Sequence, residues 1–243
     1  MHKNKHIPRI FHPNIYKSNL LSTENSFHLI KVLRLSNFSP FYIFNNKEGE
    51  FLAELIIEKQ TCKFKVLNKI KDVETEKYTI NLYYSPLKST ANDFLIEKTV
   101  ELGISSLTQI KLDYTTIKPI PTEKLLIKTI ESAKQCGRIN IPTINPTISF
   151  KDLITHFTTD KNSTLFYFHN NSSTHLTQNL VQQTIKNNTI NYIIGAEGGF
   201  SQQEDTSLTA LQNIIKTKLH NNILRAETAS ITALISFKLL LNI

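Results

Sequence analysis

One stretch of the chain, TINYIIGAEGGFSQQE at positions 189–204, constrains the fold more than any other. Its first half is rich in β-branched and aromatic residues, which is typical of a buried strand. The run then breaks at a glycine-rich turn over 195–199. Ser201 and Glu204 form a capping box, because each side chain can accept a hydrogen bond from a free backbone N–H at a helix start. Strand, glycine loop and helix in this order predict an α/β fold that brings bare backbone close to a ligand.

The positive charge of the chain is concentrated in its first third. Residues 1–73 contain 12 Lys and Arg against 6 Asp and Glu, whereas residues 74–243 contain 16 against 14. A basic module beside a nearly neutral one predicts a polyanion-docking domain attached to a catalytic domain. A solvated surface rich in lysine explains the charge equally well, so charge alone leaves both interpretations open.

The two parts also differ in their element pattern. The first part predicts a small β-barrel or sheet with one helix, with strands near 7–11, 41–45, 50–58 and 61–67 and the helix over 25–35. A charged connector at 69–77 follows, and we place the domain boundary between residues 73 and 74. Strands and helices then alternate, which predicts a largely parallel α/β sheet. Asn92 or Asp93 is expected to cap the first helix of this part.

Several classes of protein are disfavoured by what the sequence lacks. Cys62 and Cys136 lie far apart without CxxC spacing, which argues against a disulfide scaffold or a zinc site and fits a reducing cytosol. The basic N-terminus has no apolar core typical of a signal peptide, and no run of about 18 apolar residues occurs. We therefore expect a cytoplasmic protein without a membrane span or a metal site.

The glycine loop does not match the common nucleotide-binding motifs. A phosphate-binding loop requires GxxxxGK[ST] and a dinucleotide fold requires GxGxxG, and neither spacing is present. The loop is therefore not built for a triphosphate or NAD in the usual way. Its backbone could still approach an adenine or a ribose, although a tight connection between strand and helix explains the motif about as well.

A second segment, LHNNILRAETASIT at 219–232, carries the only Arg after position 138. A guanidinium at this place could bind a phosphate or a polarised carbonyl oxygen at the mouth of a pocket. The alternative is an ion pair between Arg225 and either Glu227 or Glu197. We expect the glycine loop and this segment to form one site.

These motifs occur together in the order and spacing seen in the RsmE family. The segments that carry the resemblance are ELG (101–103), ESAKQCGR (131–138), IIGAEGGFSQQE (193–204), ILRAETA (223–229) and, in the first domain, IPRIFHP (7–13) and HLIKVLRL (28–35). The chain thus resembles S-adenosylmethionine-dependent methyltransferases that modify N3 of a uridine in small-subunit (16S) ribosomal RNA. The resemblance implies a PUA-like barrel over 1–73 and a SPOUT domain with a trefoil knot over 74–243. It also implies a homodimer that acts on RNA, with an assembled 30S subunit as the expected substrate.

The resemblance assigns roles to individual positions. The implied cofactor-binding residues are Phe168, His169, Gly195, Glu197, Gly198, Gly199, Leu219, Ile223, Leu224 and Arg225. The expected RNA-binding residues are Arg9, Lys31, Arg34, Lys88 and Arg138. For catalysis we expect Arg225 to stabilise charge on the uracil ring or to hold a phosphate, with Glu197 or Glu227 orienting it.

The chain departs from the pattern of the family at several loop positions. Ala196, His220, Asn222 and Ala226 stand where members usually have Pro, Gly, Arg and Thr, and an Arg often found after the second strand of the catalytic domain is not obvious near 114–116. Two other functions therefore stay open. One is an RNA-binding module with a non-catalytic knot domain, and the other is a SPOUT methyltransferase with a different RNA target atom.

Overall fold

The computed structural model describes residues 7–59 and 61–243. The chain forms two compact units, the first containing residues up to 75 together with 133–141, and the second containing 76–132 and 142–243. The boundary between residues 73 and 74 stays a prediction. The short segment 133–141, which the sequence pattern assigns to the second domain, groups with the first unit.

The first unit is built on a four-stranded sheet in the order β1–β2–β3–β4. Its strands are β1 (Arg9–Phe11), β2 (Pro40–Asn45), β3 (Gly49–Glu58) and β4 (Thr61–Lys71). β1 runs parallel to β2, and the remaining neighbours are antiparallel. The predicted strands are confirmed, although β4 continues into the segment that we expected to be a connector. Side chains along β4 point alternately to the two faces of the sheet, and those of Cys62 and Phe64 are buried in the core of the unit.

The sheet of the first unit curls so that its two edges meet. The chain that follows β1 lies beside β4, where the amide of Phe64 donates to the carbonyl of Asn19 at 2.9 Å. His12, directly after β1, donates through Nε2 to the carbonyl of Leu20 at 3.1 Å. Its ring also meets the ring of Phe64 edge-on at 5.1 Å between centroids. Residues from both edges are therefore in contact, as expected for a small PUA-like barrel.

The helix of the first unit is shorter and less regular than the sequence predicts. α1 spans Thr23–Phe27 and continues as a π-helical turn over His28–Val32. Ser22 starts it, because its side chain accepts from the amide of Asn25 at 3.1 Å. Leu29 in the π-helical turn is completely buried in the core, so apolar packing holds this turn in place.

The second unit contains a six-stranded sheet in the order β10–β8–β9–β5–β6–β7, with all neighbours parallel. The strands are β5 (Thr79–Tyr84), β6 (Ser106–Lys111), β7 (Thr143–Ser149), β8 (Leu165–Phe168), β9 (Thr189–Ile194) and β10 (Ile214–Thr217). The helices after β5 are α2 (Ser89–Glu101), α3 (Thr122–Cys136), α4 (Phe150–Thr159), α5 (Gln178–Thr184), α6 (Gln202–Thr209) and α7 (Ala226–Leu241). The predicted parallel α/β sheet is confirmed.

The second unit differs from the sequence analysis in two places, an additional strand and an earlier helix start. The strand β7 is not among the expected strands. It contains Pro146 and lies at the edge of the sheet, where a missing N–H is tolerated. The start of α2 was placed too late. The helix begins at Ser89 with Lys88 in the N-cap position. Asn92 is fully buried inside the helix, and in the described part of the chain neither its amide nitrogen nor its oxygen has a hydrogen-bond partner.

The connections after β5, β8, β9 and β10 all lie at the carboxyl-terminal end of the sheet, because parallel strands point the same way. The trefoil knot stays a prediction. Across residues 7–59 and 61–243, no helix is long and apolar enough to cross a membrane.

Candidate functional site

A cavity of about 1330 Å³ lies at the carboxyl ends of the central strands of the second unit. It is larger than the 300–1,000 Å³ of a typical small-molecule pocket, roughly enough for a nucleoside-sized ligand with space beside it. All ten positions that the resemblance assigns to cofactor binding line this cavity, and so does Lys88. The structure therefore brings the glycine loop and the segment at 219–225 together, while the contacts of these residues with a cofactor remain a prediction.

The glycine loop after β9 is packed so tightly that its sequence is restricted. A Cβ built on Gly195 would lie 2.8 Å from Cε2 of Phe200 and 3.1 Å from the carbonyl carbon of Gly199. Gly199 has φ of +78°, a conformation that residues with a Cβ rarely adopt. Its amide donates to the carbonyl of Ala196 at 2.8 Å, which closes the turn. Phe200 is held in turn by an edge-on contact with the ring of Tyr167.

The same loop leaves backbone donors available to a ligand. Within the residues that the structure describes, the amides of Glu197 and Gly198 have no hydrogen-bond partner in the protein. Both residues line the cavity. Since an unpaired amide is a strong donor, this part of the cavity wall favours a ligand with acceptor atoms, such as an adenine ring or a ribose.

The capping box predicted for α6 is confirmed and has an additional partner. Ser201 accepts from the amide of Glu204 at 3.2 Å, and the Glu204 carboxylate accepts from the amide of Ser201 at 2.9 Å. The loop after β6 joins this box, because the hydroxyl of Ser201 donates to Asp113 at 2.5 Å and the amide of Asp113 donates to Glu204 at 2.8 Å. These bonds fix the carboxyl end of the glycine loop against the loop that follows β6.

The charged residues of the cavity pair differently from our expectation. Glu197 forms an ion pair with Lys88, with 3.1 Å between Oε2 and Nζ. Both side chains are well exposed, so this pair contributes little to stability. Arg225 occupies the N-cap position of α7, and among the described residues it has no ion pair with Glu197 or Glu227. The guanidinium of Arg225 is therefore available at the cavity for an anionic or polar group of a ligand.

Two His-Asn-Asn segments, at 169–171 and 220–222, follow the neighbouring strands β8 and β10 and adopt the same local turn. Nδ1 of His169 accepts from the amide of Asn171 at 3.1 Å, and Nδ1 of His220 accepts from the amide of Asn222 at 3.0 Å. In the neutral imidazole the proton must then reside on Nε2. Both residues line the cavity, so each presents a ring that can donate from Nε2.

A polar cluster beneath the cavity holds the ring of Tyr167. Its hydroxyl donates to Oδ1 of Asp205 at 2.8 Å, and the ammonium of Lys216 donates to the same oxygen at 2.8 Å. The hydrogen bond from Lys216 is the main reason that the pKa of Asp205 is lowered. Burial, followed by the bond to Asp205, raises the pKa of Tyr167. Tyr167 therefore stays neutral and forms a fixed part of the cavity wall.

The residues expected to bind RNA belong to both units of the chain. Lys31 and Arg34 are exposed in the first unit, Arg138 is half-buried, and Lys88 lies at the cavity. Arg9 lies inside the first unit, where its Nε is 2.5 Å from Glu50 and its side chain is only 10% exposed. The geometry gives Arg9 a structural role.

The sequence interpretation missed several residues at this site. Phe94 lines the cavity from α2, and Tyr114 lies against Gly198 from the loop after β6. Both follow parallel strands at the edge where ligands usually bind, so their position in the α/β pattern could have identified them. Asp205 and Lys216 could not have been found in this way, because only the pairing of β10 with β8 brings Lys216 beside Tyr167.

Comparison with known proteins places the chain among RNA-modifying enzymes. The RNA methyltransferase domain family matches residues 74–238. The ribosomal RNA small subunit methyltransferase E of Rickettsia conorii is 30% identical, covering 90% of this chain and 89% of the relative. The protein of the same name from Buchnera aphidicola (subsp. Schizaphis graminum) is 32% identical over 97% of both chains.

Solved structures show the same fold. A methyltransferase of Legionella pneumophila in complex with S-adenosylmethionine has a TM-score of 0.82 and 24% identity, covering 96% of this chain and 97% of that one. The ribosomal RNA small subunit methyltransferase E of Neisseria gonorrhoeae, bound to S-adenosyl methionine, has a TM-score of 0.78 and 22% identity, covering 97% and 98%. From its sequence relatives and its matched domain, the chain belongs to the ribosomal RNA small subunit methyltransferase E family.

Proposed function

We propose that this chain transfers a methyl group from S-adenosylmethionine to N3 of a uridine in small-subunit ribosomal RNA. One observation carries the proposal. In a member of this family, all ten positions matched to the cofactor site line a single cavity, and one of them, Arg225, brings a guanidinium that has no ion-pair partner in the described part of the chain. The names of the relatives supply the substrate class.

The cavity has the chemical character that S-adenosylmethionine requires. The amides of Glu197 and Gly198 offer donors to the adenosine part. Apolar surface is provided on other walls by Phe168, Leu219 and Leu224. α7 begins at the cavity without a side-chain cap, so the partial positive charge of its first turn suits an anionic group such as a carboxylate.

In the proposed reaction the protein has two main tasks. It positions the methyl donor and the uridine, and it accepts one proton. When bound, S-adenosylmethionine supplies a methyl group that its sulfonium has already activated. N3 of uridine must lose its proton as it gains the methyl group. Arg225 is placed to stabilise the negative charge that develops on O2 or O4, and the carboxylate of Glu197 borders the same cavity and can accept the proton. Glu197 pairs with Lys88 in place of the expected contact with Arg225.

We propose that the first unit contributes RNA affinity through the exposed cations Lys31 and Arg34. Lys88, at the cavity, and Arg138 add to this affinity. Binding through phosphates releases counterions, so affinity should fall steeply as salt rises. We further propose a cytoplasmic homodimer with the trefoil knot of SPOUT enzymes, acting on an assembled 30S subunit. Salt-independent binding of RNA would argue against the electrostatic part of this proposal.

The deciding experiment is nucleoside mass spectrometry of 16S RNA after incubation of the purified chain with S-adenosylmethionine and unmodified 30S subunits. We expect 3-methyluridine to appear. A different methylated nucleoside would indicate another target atom. No product together with no binding of S-adenosylmethionine by calorimetry would indicate a non-catalytic RNA-binding module.

Two variants test the assigned roles. Arg225→Ala and Glu197→Gln are each expected to lower kcat by about 10²- to 10³-fold, the range seen when a charge-stabilising group or a general base is removed. Calorimetry with S-adenosylmethionine must accompany both, because these residues also line the cofactor cavity. Turnover close to that of the unaltered chain would refute the corresponding role.

A further inference from the structure

Tyr114 is an exposed aromatic residue at the rim of the cavity. It lies in the loop after β6, and half of its surface is open to solvent. The other side of the residue lies on the glycine loop, because a Cβ built on Gly198 would be 3.4 Å from both Cβ and Cδ2 of Tyr114. Gly198 is exposed and lines the cavity, so Tyr114 lies next to the cavity without being one of its lining residues.

The backbone on both sides of Tyr114 is held firmly. Asp113 accepts from the hydroxyl of Ser201 and donates its amide to Glu204. The hydroxyl of Thr115 accepts from the amide of Leu112 at 2.8 Å and lies 2.9 Å from the hydroxyl of Ser85. The amide of Thr115 donates to the carbonyl of Leu112, and this bond closes the turn. The ring is therefore presented from a fixed loop, which lowers the entropy lost when a ligand packs on it.

The core does not require an aromatic ring at this position. Tyr114 is not part of the buried apolar cluster that contains Ile110 and Leu112, and half of its surface is open to water. Among the described residues, its hydroxyl has no hydrogen-bond partner. An exposed and rigidly held aromatic ring beside a polar cavity is what a nucleobase needs in order to stack outside a helix.

We propose that Tyr114 is a stacking residue for a nucleobase of the substrate RNA, and that it holds this base at the mouth of the cavity. The inference rests on the proposed function, because it assumes that RNA reaches this rim. It adds a contact that acts on the base, whereas the cations of the chain act on phosphates. The occupant is a base in an unpaired stretch, since a base in a duplex has both faces covered by its neighbours.

Three variants separate stacking from simple packing on the glycine loop. Tyr114→Phe keeps the ring, Tyr114→Leu keeps apolar bulk against Gly198 without a π-system, and Tyr114→Ala removes both. For methylation of 30S subunits we expect Tyr114→Phe to resemble the unaltered chain. We expect Tyr114→Leu and Tyr114→Ala to lower kcat/KM for RNA by about 10- to 100-fold, the range of one lost base–aromatic contact. The Kd for S-adenosylmethionine should be unchanged in all three.

A direct readout uses the fact that the chain contains no Trp. Tyr114→Trp places a single indole at the rim, and stacking of a base should quench its fluorescence. We expect a uridine decanucleotide to quench the fluorescence. A sugar–phosphate oligomer of the same length without bases should quench it little. Leu126→Trp, which puts an indole on the exposed side of α3, is the matched control and should respond to neither probe.

The outcomes of the two experiments are distinct. The stacking role is overturned if Tyr114→Leu methylates like the unaltered chain, or if both oligomers affect the Tyr114→Trp protein equally. It is also overturned if Tyr114→Leu loses activity only through weaker binding of S-adenosylmethionine, which would indicate packing of the glycine loop. If the unaltered chain produces no methylated nucleoside, the proposed function fails, and the fluorescence comparison alone decides whether Tyr114 stacks with a base.

Discussion

The buried contact of Arg9 with Glu50 provides the sharpest test of how the first unit is stabilised. The two side chains are 10% and 5% exposed, so water screens them little. Nη1 of Arg9 donates to the carbonyl of Ala133 at 2.7 Å and to that of Lys134 at 3.2 Å, and Nη2 donates to the carbonyl of Arg138 at 3.3 Å. The guanidinium also lies 4.2 Å from the ring centre of Phe44. Removing Arg9 therefore leaves a buried carboxylate without its partner and takes one donor away from each of three carbonyls, of which that of Ala133 still accepts from the amide of Arg138.

The expected cost of Arg9→Ala is about 4 kcal/mol, because removing one partner of a buried pair typically costs 3–5 kcal/mol. The bonds to the carbonyls, each worth about 1 kcal/mol, keep the value above the lower end of that range. Replacing both partners with Met should cost at least about 2 kcal/mol less than Arg9→Ala, because no charge is then left uncompensated. Arg9→Lys should rescue only part of the loss, since an ammonium cannot reproduce the planar fork of donors.

The two units can open separately, so a measurement confined to the first unit tests this contact directly. Hydrogen exchange followed by mass spectrometry on peptides from β1 to β3 reports opening of the first unit. Exchange there should become roughly a thousandfold faster in Arg9→Ala, which corresponds to about 4 kcal/mol. Arg34→Ala, at an exposed position, is the control and should change little. If Arg9→Ala costs under about 1 kcal/mol, or if the Met pair costs more than Arg9→Ala, the reasoning is refuted.

Three further predictions follow from single contacts. Gly195→Ala should lower the melting temperature by roughly 3–10 °C, because the added Cβ would overlap Phe200. Gly198→Ala is the control and should change the melting temperature little, because its Cβ would meet Tyr114 at an ordinary distance. Equal shifts of the two variants in calorimetry would contradict this. Asn92→Met should raise the free energy of unfolding by about 1–3 kcal/mol in urea titrations, because it replaces a buried amide without partners, and a destabilised variant would refute the account. The hydrogen bond from Lys216 lowers the pKa of Asp205 in the folded state, so the unfolded chain binds more protons below about pH 4 and the stabilisation present above that pH is lost as pH falls. The melting temperature of Asp205→Asn should therefore depend less on pH between 5 and 2 than that of the unaltered chain, and parallel curves would refute this.

The glycine loop was predictable because several local signals agreed. The β-branched run of β9, the glycines and the Ser201–Glu204 capping box each specify the same connection, and all of them act over a few residues. The resemblance then identified the residues that share its cavity. Pairings of charged groups were not predictable in the same way. Glu197 meets Lys88 because β9 lies beside β5, although the two residues are far apart in the chain.

The wrong predictions also have local causes. The strand β7 contains Pro146, and proline weakens the local signal for a strand because it is tolerated only at an edge position. Asn92 suggested a helix start because Asn is a favoured cap, but tertiary packing extended α2 by one turn and buried the residue. The resemblance suggested an RNA contact for Arg9, and the burial of its side chain was not part of that expectation. Its burial depends on Glu50 and on residues 133–141, which no local pattern could connect with it.

The grouping of 133–141 with the first unit has a consequence for synthesis of the protein. The first 75 residues leave the ribosome well before the nine residues that complete their unit. Until those residues emerge, the guanidinium of Arg9 lacks the carbonyl groups that it binds in the finished unit. The amino-terminal unit therefore cannot reach its final structure first and alone, even though domains commonly fold in the order of their synthesis. A fragment cut near residue 73 would carry the same deficit permanently.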